Sequence, residues 1–459
     1  MGVGTPPLRH PWVVFAWAGM LAVLILWAVY PGFMSYDSLH ALREARGAVQ
    51  GGPYPPFVSY VWRALDAVFP GPAPMLLLQN LVLLASLAAF FVLAGVGRTI
   101  ALVGLTLAAA APPLLGPMLV VWKDVALSAC FAAGAALLFL QESRPSARPA
   151  PLLLAAVALV FCGMAYRMNA APGALPLLVW AASLARPRGG SVRLVPALIA
   201  GVALTAGLSA LVFMINTYRL PDFSRLGVNT SVPAVQVYDL IGVTALSGRA
   251  AFTAPGVDEA TLVRQATQSF DPRHLNITMA ADRSGIFLRY LDKTPPGEIA
   301  ATWWTAVTSR PGAYLAHRWA VFRELVGLAP REVFYPTHGT VDANEFGYEH
   351  RPGRASDRVL RYIERACGPP SSGSLSCRTW AYHLAGLAAT LACVLLASRT
   401  HRVAAIAVYA SGLAYLLPQF VVTPAADLRY TQWSVVASLL ACVIAAGALR
   451  SRTATRRRT

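Results

Sequence analysis

Charged residues are scarce in this sequence, and lysine is nearly absent. Charged residues make up 13% of the 459 residues, with Lys123 and Lys293 as the two lysines, whereas 56% of the residues are hydrophobic. The mean hydropathy is +0.53. This composition leaves too little polar surface to cover a soluble globular protein. It excludes that class and predicts an all-α integral membrane protein.

The short motifs of several soluble enzyme classes are also missing. The sequence has no Cys/His spacing of a zinc site, no Walker loop, no GxSxG and no Asp-x-Asp pair. These absences exclude motif-based assignment to P-loop nucleotide hydrolases, serine hydrolases and zinc proteins. Without an Asp-x-Asp pair, we expect no cofactor and no obligatory divalent metal.

Apolar runs near the length of a bilayer crossing predict about ten membrane spans. They cover residues 12–30, 74–96, 99–115, 124–141, 151–166, 171–185, 194–215, 380–397, 403–422 and 432–449. Several of these runs are only barely long enough to cross a bilayer.

Arginine placement predicts the orientation of these spans, because cationic loops stay on the cytoplasmic side. With ten spans, one side holds Arg9, Arg98, Arg144, Arg148, Arg186, Arg188, Arg193, Arg399, Arg402 and the tail Arg450, Arg452, Arg456, Arg457 and Arg458. An N-terminal module, 1–215, then contains the first outer loop, 31–73, and an extracytoplasmic domain, 216–379, separates this module from a C-terminal module, 380–459. Topology and anionic membrane lipids account for the net charge of +17, so we expect no nucleic-acid partner.

The six cysteines divide by predicted compartment. Four lie inside apolar spans, where a thiol behaves as a small hydrophobic group. Cys367 and Cys377 flank a Gly-Pro-Pro-Ser-Ser-Gly turn in the predicted extracytoplasmic domain. That compartment permits disulfides, so a bridge is favoured over two free thiols.

Charged and aromatic residues cluster at the predicted outer ends of the helices. The four patterns are Tyr30-Pro31-Gly32-Phe33-Met34-Ser35-Tyr36-Asp37-Ser38 with Gly51-Gly52-Pro53-Tyr54-Pro55-Pro56, then Val121-Trp122-Lys123-Asp124, then Tyr166-Arg167-Met168-Asn169-Ala170, and finally Asp427-Leu428-Arg429-Tyr430. Transfer of a group from a lipid phosphate to a hydroxyl needs a base for the acceptor proton and cations for the departing phosphate. Asp37 can supply the base, and Lys123, Arg167 and Arg429 can supply the cations.

In this order and topology, the four patterns resemble the GT-C superfamily of polytopic glycosyltransferases. The resemblance covers about 12–215 and 380–449, with Tyr54 where histidine is common in the family. It implies inverting transfer of a sugar from a polyprenyl-phosphate donor to a hydroxyl of a lipid, glycan or protein acceptor. The enzyme would cross the bacterial inner (cytoplasmic) membrane many times, with its active site on the extracytoplasmic face. The implied site residues are catalytic Asp37 and Asp124, donor-phosphate-binding Lys123, Arg167 and Arg429, and substrate-binding Tyr36, Tyr54, Asn169 and Tyr430.

Each site residue also has a purely structural interpretation. Asp37 could cap a short helix, and the Lys123–Asp124 pair could anchor a span at the interface. Arg167 could extend to the phosphates of bulk lipid, and Arg429 with Tyr430 could belong to an interfacial belt.

Two other functions use the same charges. A transporter or flippase for lipid-linked glycans would line a substrate path with them, typically with inverted repeats and broken helices. A structural assembly factor would leave them scattered over the surface. Convergence of Asp37, Asp124 and Arg167 on one outward cavity would favour the enzyme.

Overall fold

The computed structural model describes residues 10–48, 55–146, 148–185, 194–217, 231–369, 371 and 374–456. Within these ranges the secondary structure is helical, apart from three isolated β-bridges. Tyr54, one of the predicted substrate-binding residues, lies outside the described residues.

The first half of the chain forms ten α-helices. They are α1 Trp12–Ala28, α2 Tyr36–Ala45, α3 Phe57–Asp66, α4 Ala73–Ala94, α5 Arg98–Ala110, α6 Pro112–Met118, α7 Lys123–Ser143, α8 Ala150–Tyr166, α9 Ala171–Leu184 and α10 Leu194–Thr217. A 3-10 turn, Met168–Ala170, joins α8 to α9.

The second half forms eleven more α-helices. They are α11 Ser231–Ser247, α12 Glu259–Ser269, α13 Leu275–Ala281, α14 Ile286–Lys293, α15 Pro296–Ser309, α16 Pro311–Leu325, α17 Arg354–Ala366, α18 Thr379–Leu396, α19 Arg399–Leu416, α20 Gln419–Val422 and α21 Gln432–Arg456. A 3-10 turn, Leu428–Thr431, precedes α21.

Six helices of the described chain are long and apolar enough to cross a membrane. They are Ala73–Ala94, Lys123–Ser143, Leu194–Asn216, Thr379–Leu396, Arg399–Val422 and Leu428–Thr453, and a bent pair brings the number to as many as seven. The chain is therefore a multi-pass helical membrane protein. Each of the ten predicted spans coincides with helical structure, but α1, α8 and α9 are shorter than a full crossing at 17, 17 and 14 residues.

The predicted span over 99–115 is not a straight helix. The helix α5 ends at Ala110, and α6 begins at Pro112 after a bend of 66°. Pro112 and Pro113 lack the amide hydrogens that would continue the α5 hydrogen-bond ladder. This pair of helices forms a broken span or a re-entrant loop.

The helices α7 and α21 form the centre of the bundle. The helices α7 and α21 are largely buried, whereas most of α10 is exposed. Small residues allow close packing around α21: a Cβ on Gly386 would lie 2.8 Å from the Cβ of Ser438, and one on Gly412 would lie 2.6 Å from the Cβ of Ala437. These contacts fix the start of α21 relative to its neighbours.

The segment 231–369 contains a hydrophobic core of its own. Its centre is the apolar helix α11, where Val237, Leu240 and Ile241 are buried against α12, α14 and α15. The sequence reading missed α11 because a single apolar run of this length inside a polar region does not distinguish a buried helix from a loop.

Candidate active site

A cavity of about 280 Å³ lies where the beginning of α2, the beginning of α13 and the turn before α21 meet. Its lining comes from four distant parts of the chain: Ser35, Tyr36, Asp37, His274, Asn276, Ile277, Phe334, Tyr335, Asp342, Asp427 and Arg429. Three carboxylates, one guanidinium, one imidazole and two phenols therefore share one opening.

Two short bridges hold the segment before α2 in place. The Phe33 N–H donates to Leu119 O (3.1 Å), and the Met34 N–H donates to Thr340 O (3.1 Å). The Asp342 N–H completes the second bridge by donating to Met34 O (2.9 Å). The chain just before Asp37 thus lies between the α6–α7 connection and the 340–342 segment.

Asp37 occupies the second position of α2, and it is not the helix cap. Ser35 is the N-cap residue, and its hydroxyl accepts a hydrogen bond from Trp122 Nε1 (2.8 Å). The Asp37 carboxylate instead accepts from Arg429 Nη1 at 2.8 Å. Because 392 residues separate the two, this contact is a product of the fold.

Arg429 is the central cation of the cavity. Besides Asp37, its guanidinium contacts Asp427 Oδ2 at 3.2 Å through both Nε and Nη2. Its Cζ lies 4.7 Å from the ring centroid of Trp122 and 5.2 Å from that of Tyr430. Two carboxylates and two aromatic faces therefore hold the planar guanidinium in one orientation.

Lys123 brings a second cation to the same place. It begins α7 and interacts electrostatically with Asp37, Arg167 and Arg429. The predicted base and two of the predicted phosphate-binding cations are thus neighbours.

Asp124 and Arg167 form a second layer that does not line the cavity. Asp124 is 1% exposed, and its Oδ1 pairs with Arg167 Nη1. The Arg167 guanidinium stacks on the Tyr430 ring with its Cζ 4.3 Å from the centroid. Because the Cζ of Arg429 lies 5.2 Å from the centroid of the same ring, this layer supports the central cation. The inward pairing of Arg167 argues against extension to bulk lipid.

A hydroxyl–imidazole–carboxylate chain forms one wall of the cavity. The Tyr335 hydroxyl hydrogen-bonds to His338 Nδ1, and His338 Nε2 lies 3.0 Å from Asp342 Oδ1. Burial raises the pKa of Tyr335 to about 12, so its hydroxyl stays protonated at neutral pH. Tyr335 also has φ = +47°, a sparsely populated conformation for a non-glycine residue that is typical of functional sites.

His274 contributes a neutral imidazole to the lining of the cavity. Burial lowers its pKa, and its Nδ1 accepts from the Asn276 N–H at 2.8 Å. The hydrogen-bond pattern therefore assigns the ring proton to Nε2.

Helices α11 and α16 anchor the segment that carries Asp427 and Arg429. Arg318 Nη1 donates to Thr423 O (3.0 Å), and Arg318 Nη2 donates to the buried carboxylate of Asp239 (2.7 Å). His317 Nε2 lies 2.9 Å from the other oxygen of Asp239, and burial lowers the pKa of His317. The segment 231–369 thereby fixes the position of the turn before α21.

The remaining predicted residues lie in different places. Tyr36 lines the cavity and is 62% exposed, so it is accessible to a bound ligand. Asn169 lies in the 3-10 turn after Arg167, and the buried Tyr430 ring contacts the guanidinium groups of Arg167 and Arg429. Neither Asn169 nor Tyr430 belongs to the described lining of the cavity.

Sequence reasoning did not assign a role in the main site to several lining residues. They are His274, Phe334, Tyr335, Asp342 and Asp427. Of these, only Asp427 carried a local signal, because it stands two residues before Arg429 in one of the quoted patterns.

The charges of the two layers balance. Three cations, Lys123, Arg167 and Arg429, face three carboxylates, Asp37, Asp124 and Asp427. An arriving phosphate would compete with a carboxylate for its cation. In the described ranges no group of three or more His, Cys, Asp or Glu residues has the arrangement of a metal site.

Cys367 and Cys377 form a disulfide that joins the end of α17 to the residues just before α18. Their Cα atoms are 4.9 Å apart. The Val333 N–H donates to Cys367 O (2.8 Å), so the bridge lies beside the chain that leads to Tyr335.

Comparison with known proteins gives few matches. No protein-family model matches the sequence, and no curated protein matches it. Among solved structures, the chain is similar to the crystal structure of ArnT from Cupriavidus metallidurans bound to undecaprenyl phosphate. The identity is 12%, the similarity covers 97% of this chain and 79% of that chain, and the TM-score is 0.33. A TM-score of this size does not establish a shared activity.

Proposed function

We propose that this protein is a membrane glycosyltransferase that moves a sugar from a polyprenyl-phosphate donor to a hydroxyl acceptor on the extracytoplasmic face. The observation that carries the proposal is the contact between Asp37 and Arg429 inside a cavity at the ends of membrane helices. A base and a phosphate-binding cation in contact are the two groups that this reaction needs.

The position of the cavity suits a lipid-linked donor. The polyprenyl chain of the donor would stay in the bilayer, so its phosphate must lie near the end of a membrane span. Lys123 begins one span and Arg429 lies in the turn that begins another. Ionised side chains cost much less at such positions than at the bilayer centre.

Binding of the donor would rearrange the charge cluster. The phosphate oxygens take the place of Asp37 on Arg429 and Lys123, which frees the carboxylate of Asp37. The acceptor oxygen then attacks the anomeric carbon while its proton passes to Asp37. The bond from that carbon to the phosphate oxygen breaks, and the phosphate leaves with the electron pair beside the two cations. Attack opposite the leaving group inverts the anomeric centre.

The second layer has a positioning role in this scheme. Asp124 holds Arg167, Arg167 stacks on Tyr430, and Tyr430 supports Arg429. The acceptor would bind beside Tyr335, Asp342 and the neutral His274, which offer it hydrogen-bonding groups.

One observation favours the alternative of a transporter or a flippase for lipid-linked glycans. The break of 66° between α5 and α6 is of the kind that transporters use at their binding sites. Yet the carbonyls of this element are used within the fold: Thr337 Oγ1 donates to Gly116 O (2.8 Å), and Asn80 Nδ2 donates to Met118 O (2.8 Å). These contacts support a structural role for the break.

Conversion of the donor separates the two functions. The purified protein is incubated in detergent with a membrane-lipid extract that contains polyprenyl-phosphate sugars, and release of polyprenyl phosphate is followed by mass spectrometry. We expect release by the wild-type protein and a loss of at least about a hundredfold in Asp37→Asn, because the proton acceptor is gone. A flippase would leave the donor chemically intact in both samples.

A further inference from the structure

The helix α17 presents a basic face that has no role in the candidate active site. Arg354, Arg358, Arg361 and Arg365 recur at intervals of four, three and four residues, which places all four on one side of the helix. All four are exposed, whereas Ser356 and Ile363 are buried on the other side. The helix thus points its arginine face directly away from the protein.

These arginines form no ion pair with an acidic side chain among the described residues. Three of them, Arg358, Arg361 and Arg365, line a cavity of about 420 Å³ together with Tyr362 and Ala366. Clustered guanidinium groups around one opening match the geometry of a phosphate.

The basic face lies at the end of a surface with the character of a lipid contact. Ile100, Val103 and Leu107 follow one side of α5 and are 53%, 55% and 66% exposed. At the end of this stripe, Ala110 O accepts a hydrogen bond from the Tyr362 hydroxyl (2.9 Å). The apolar stripe therefore leads directly to the cavity beside Tyr362.

A second helix places α17 at the same level of the membrane. The helix α1 contacts α17, and the exposed aromatic residues Trp27 and Tyr30 lie at and just after the C-terminal end of α1. Tryptophan and tyrosine are enriched at the headgroup level of membranes. The arginines are therefore placed where lipid phosphates lie.

We propose that the arginine face of α17 binds the phosphate of a membrane lipid whose acyl chains lie against the apolar stripe of α5. Charge complementarity selects an anionic headgroup, and continuity with the exposed face of α5 selects a lipid over a soluble anion. The inference does not depend on glycosyl transfer, because none of its residues lines the cavity of Asp37 and Arg429.

Native mass spectrometry of the delipidated protein in neutral detergent tests this site. The protein is titrated with phosphatidylglycerol, which is anionic, or with phosphatidylcholine, which is zwitterionic. We expect tighter binding of phosphatidylglycerol, and we expect that preference to fall by about tenfold or more in R358Q/R361Q/R365Q, since each arginine near a phosphate contributes substantially to binding. Inorganic phosphate at equal concentration should not displace the lipid.

Two further variants make the result specific. R358K/R361K/R365K keeps the charges and should keep most of the preference. R264Q/R283Q/R289Q removes three exposed arginines elsewhere in the segment 231–369 and should keep all of it. The proposal is overturned if the first triple variant retains the preference, if the control variant loses it equally, or if inorganic phosphate displaces the lipid.

Discussion

Replacement of Arg429 by glutamine should strongly destabilise the protein, and the structure says where the cost arises. Arg429 lies 2.8 Å from Asp37 and 3.2 Å from Asp427. Asp427 is 2% exposed, whereas the Asp37 side chain is 23% exposed and also interacts with Lys123. Loss of one partner of a buried ion pair costs about 3 to 5 kcal/mol. Most of that cost should come from Asp427, which is left buried beside no equivalent cation.

Two double variants test this assignment. Arg429→Gln with Asp427→Asn removes the uncompensated buried carboxylate and should recover most of the lost free energy of unfolding. Arg429→Gln with Asp37→Asn should recover less, because water and Lys123 already compensate Asp37. The free energy is measured by equilibrium unfolding in mixed micelles of a mild detergent and dodecyl sulfate, followed by tryptophan fluorescence.

The outcome that would refute this reasoning is specific. Equal recovery in the two double variants would mean that burial does not decide which carboxylate bears the cost. A single variant Arg429→Gln as stable as the wild type would mean that the ion-pair cluster contributes nothing to folding, and that Arg429 is free to serve the ligand alone.

Three other predictions concern the surroundings of the site. Gly116→Ala should lower the free energy of unfolding by about 1 to 3 kcal/mol and also lower the release of polyprenyl phosphate, because its Cβ would collide with Pro336 O beside Tyr335. The control Gly312→Ala places its Cβ where no heavy atom lies within 4 Å, so it should change neither quantity. Cys367 and Cys377 should resist alkylation until a reductant is added, and their loss should cost about 3 kcal/mol; labelling of both without reductant would contradict the bridge. The hydrogen bond from Arg43 lowers the pKa of Glu345 from 4.5 to about 2. The difference in melting temperature between the wild type and Glu345→Gln should therefore be constant above pH 4.5 and vanish as the pH falls toward 2. A difference that does not depend on pH would contradict this.

Composition and local pattern were sufficient to predict much of the helical architecture. The apolar runs coincide with helices because backbone groups in a bilayer must be hydrogen-bonded within their own segment. The break at Pro112 was visible only as a hint, because proline can end a span, bend it or lie beyond it. The sequence does not distinguish among these three effects of the proline pair.

The main charges of the site also carried a sequence signal, because an ionised residue at the end of an apolar run stands out. Tyr335 carried none. Its segment is held beside the cavity by the backbone pairing of Met34 with Thr340 and Asp342, and these two parts of the chain are about 300 residues apart. Backbone pairing of this kind places few demands on side chains, so no spacing in the sequence announces it.

The most direct test of the proposed function is mass spectrometry of envelope glycans and lipids from cells with the wild-type protein, with Asp37→Asn, or without the protein. Equal amounts of the wild-type and variant proteins in the membrane are the control. The proposed reaction predicts that one sugar is absent both without the protein and with Asp37→Asn, and that the wild-type protein restores it. Identical glycans and lipids in all three samples would contradict glycosyl transfer, and full restoration by Asp37→Asn would contradict Asp37 as the base.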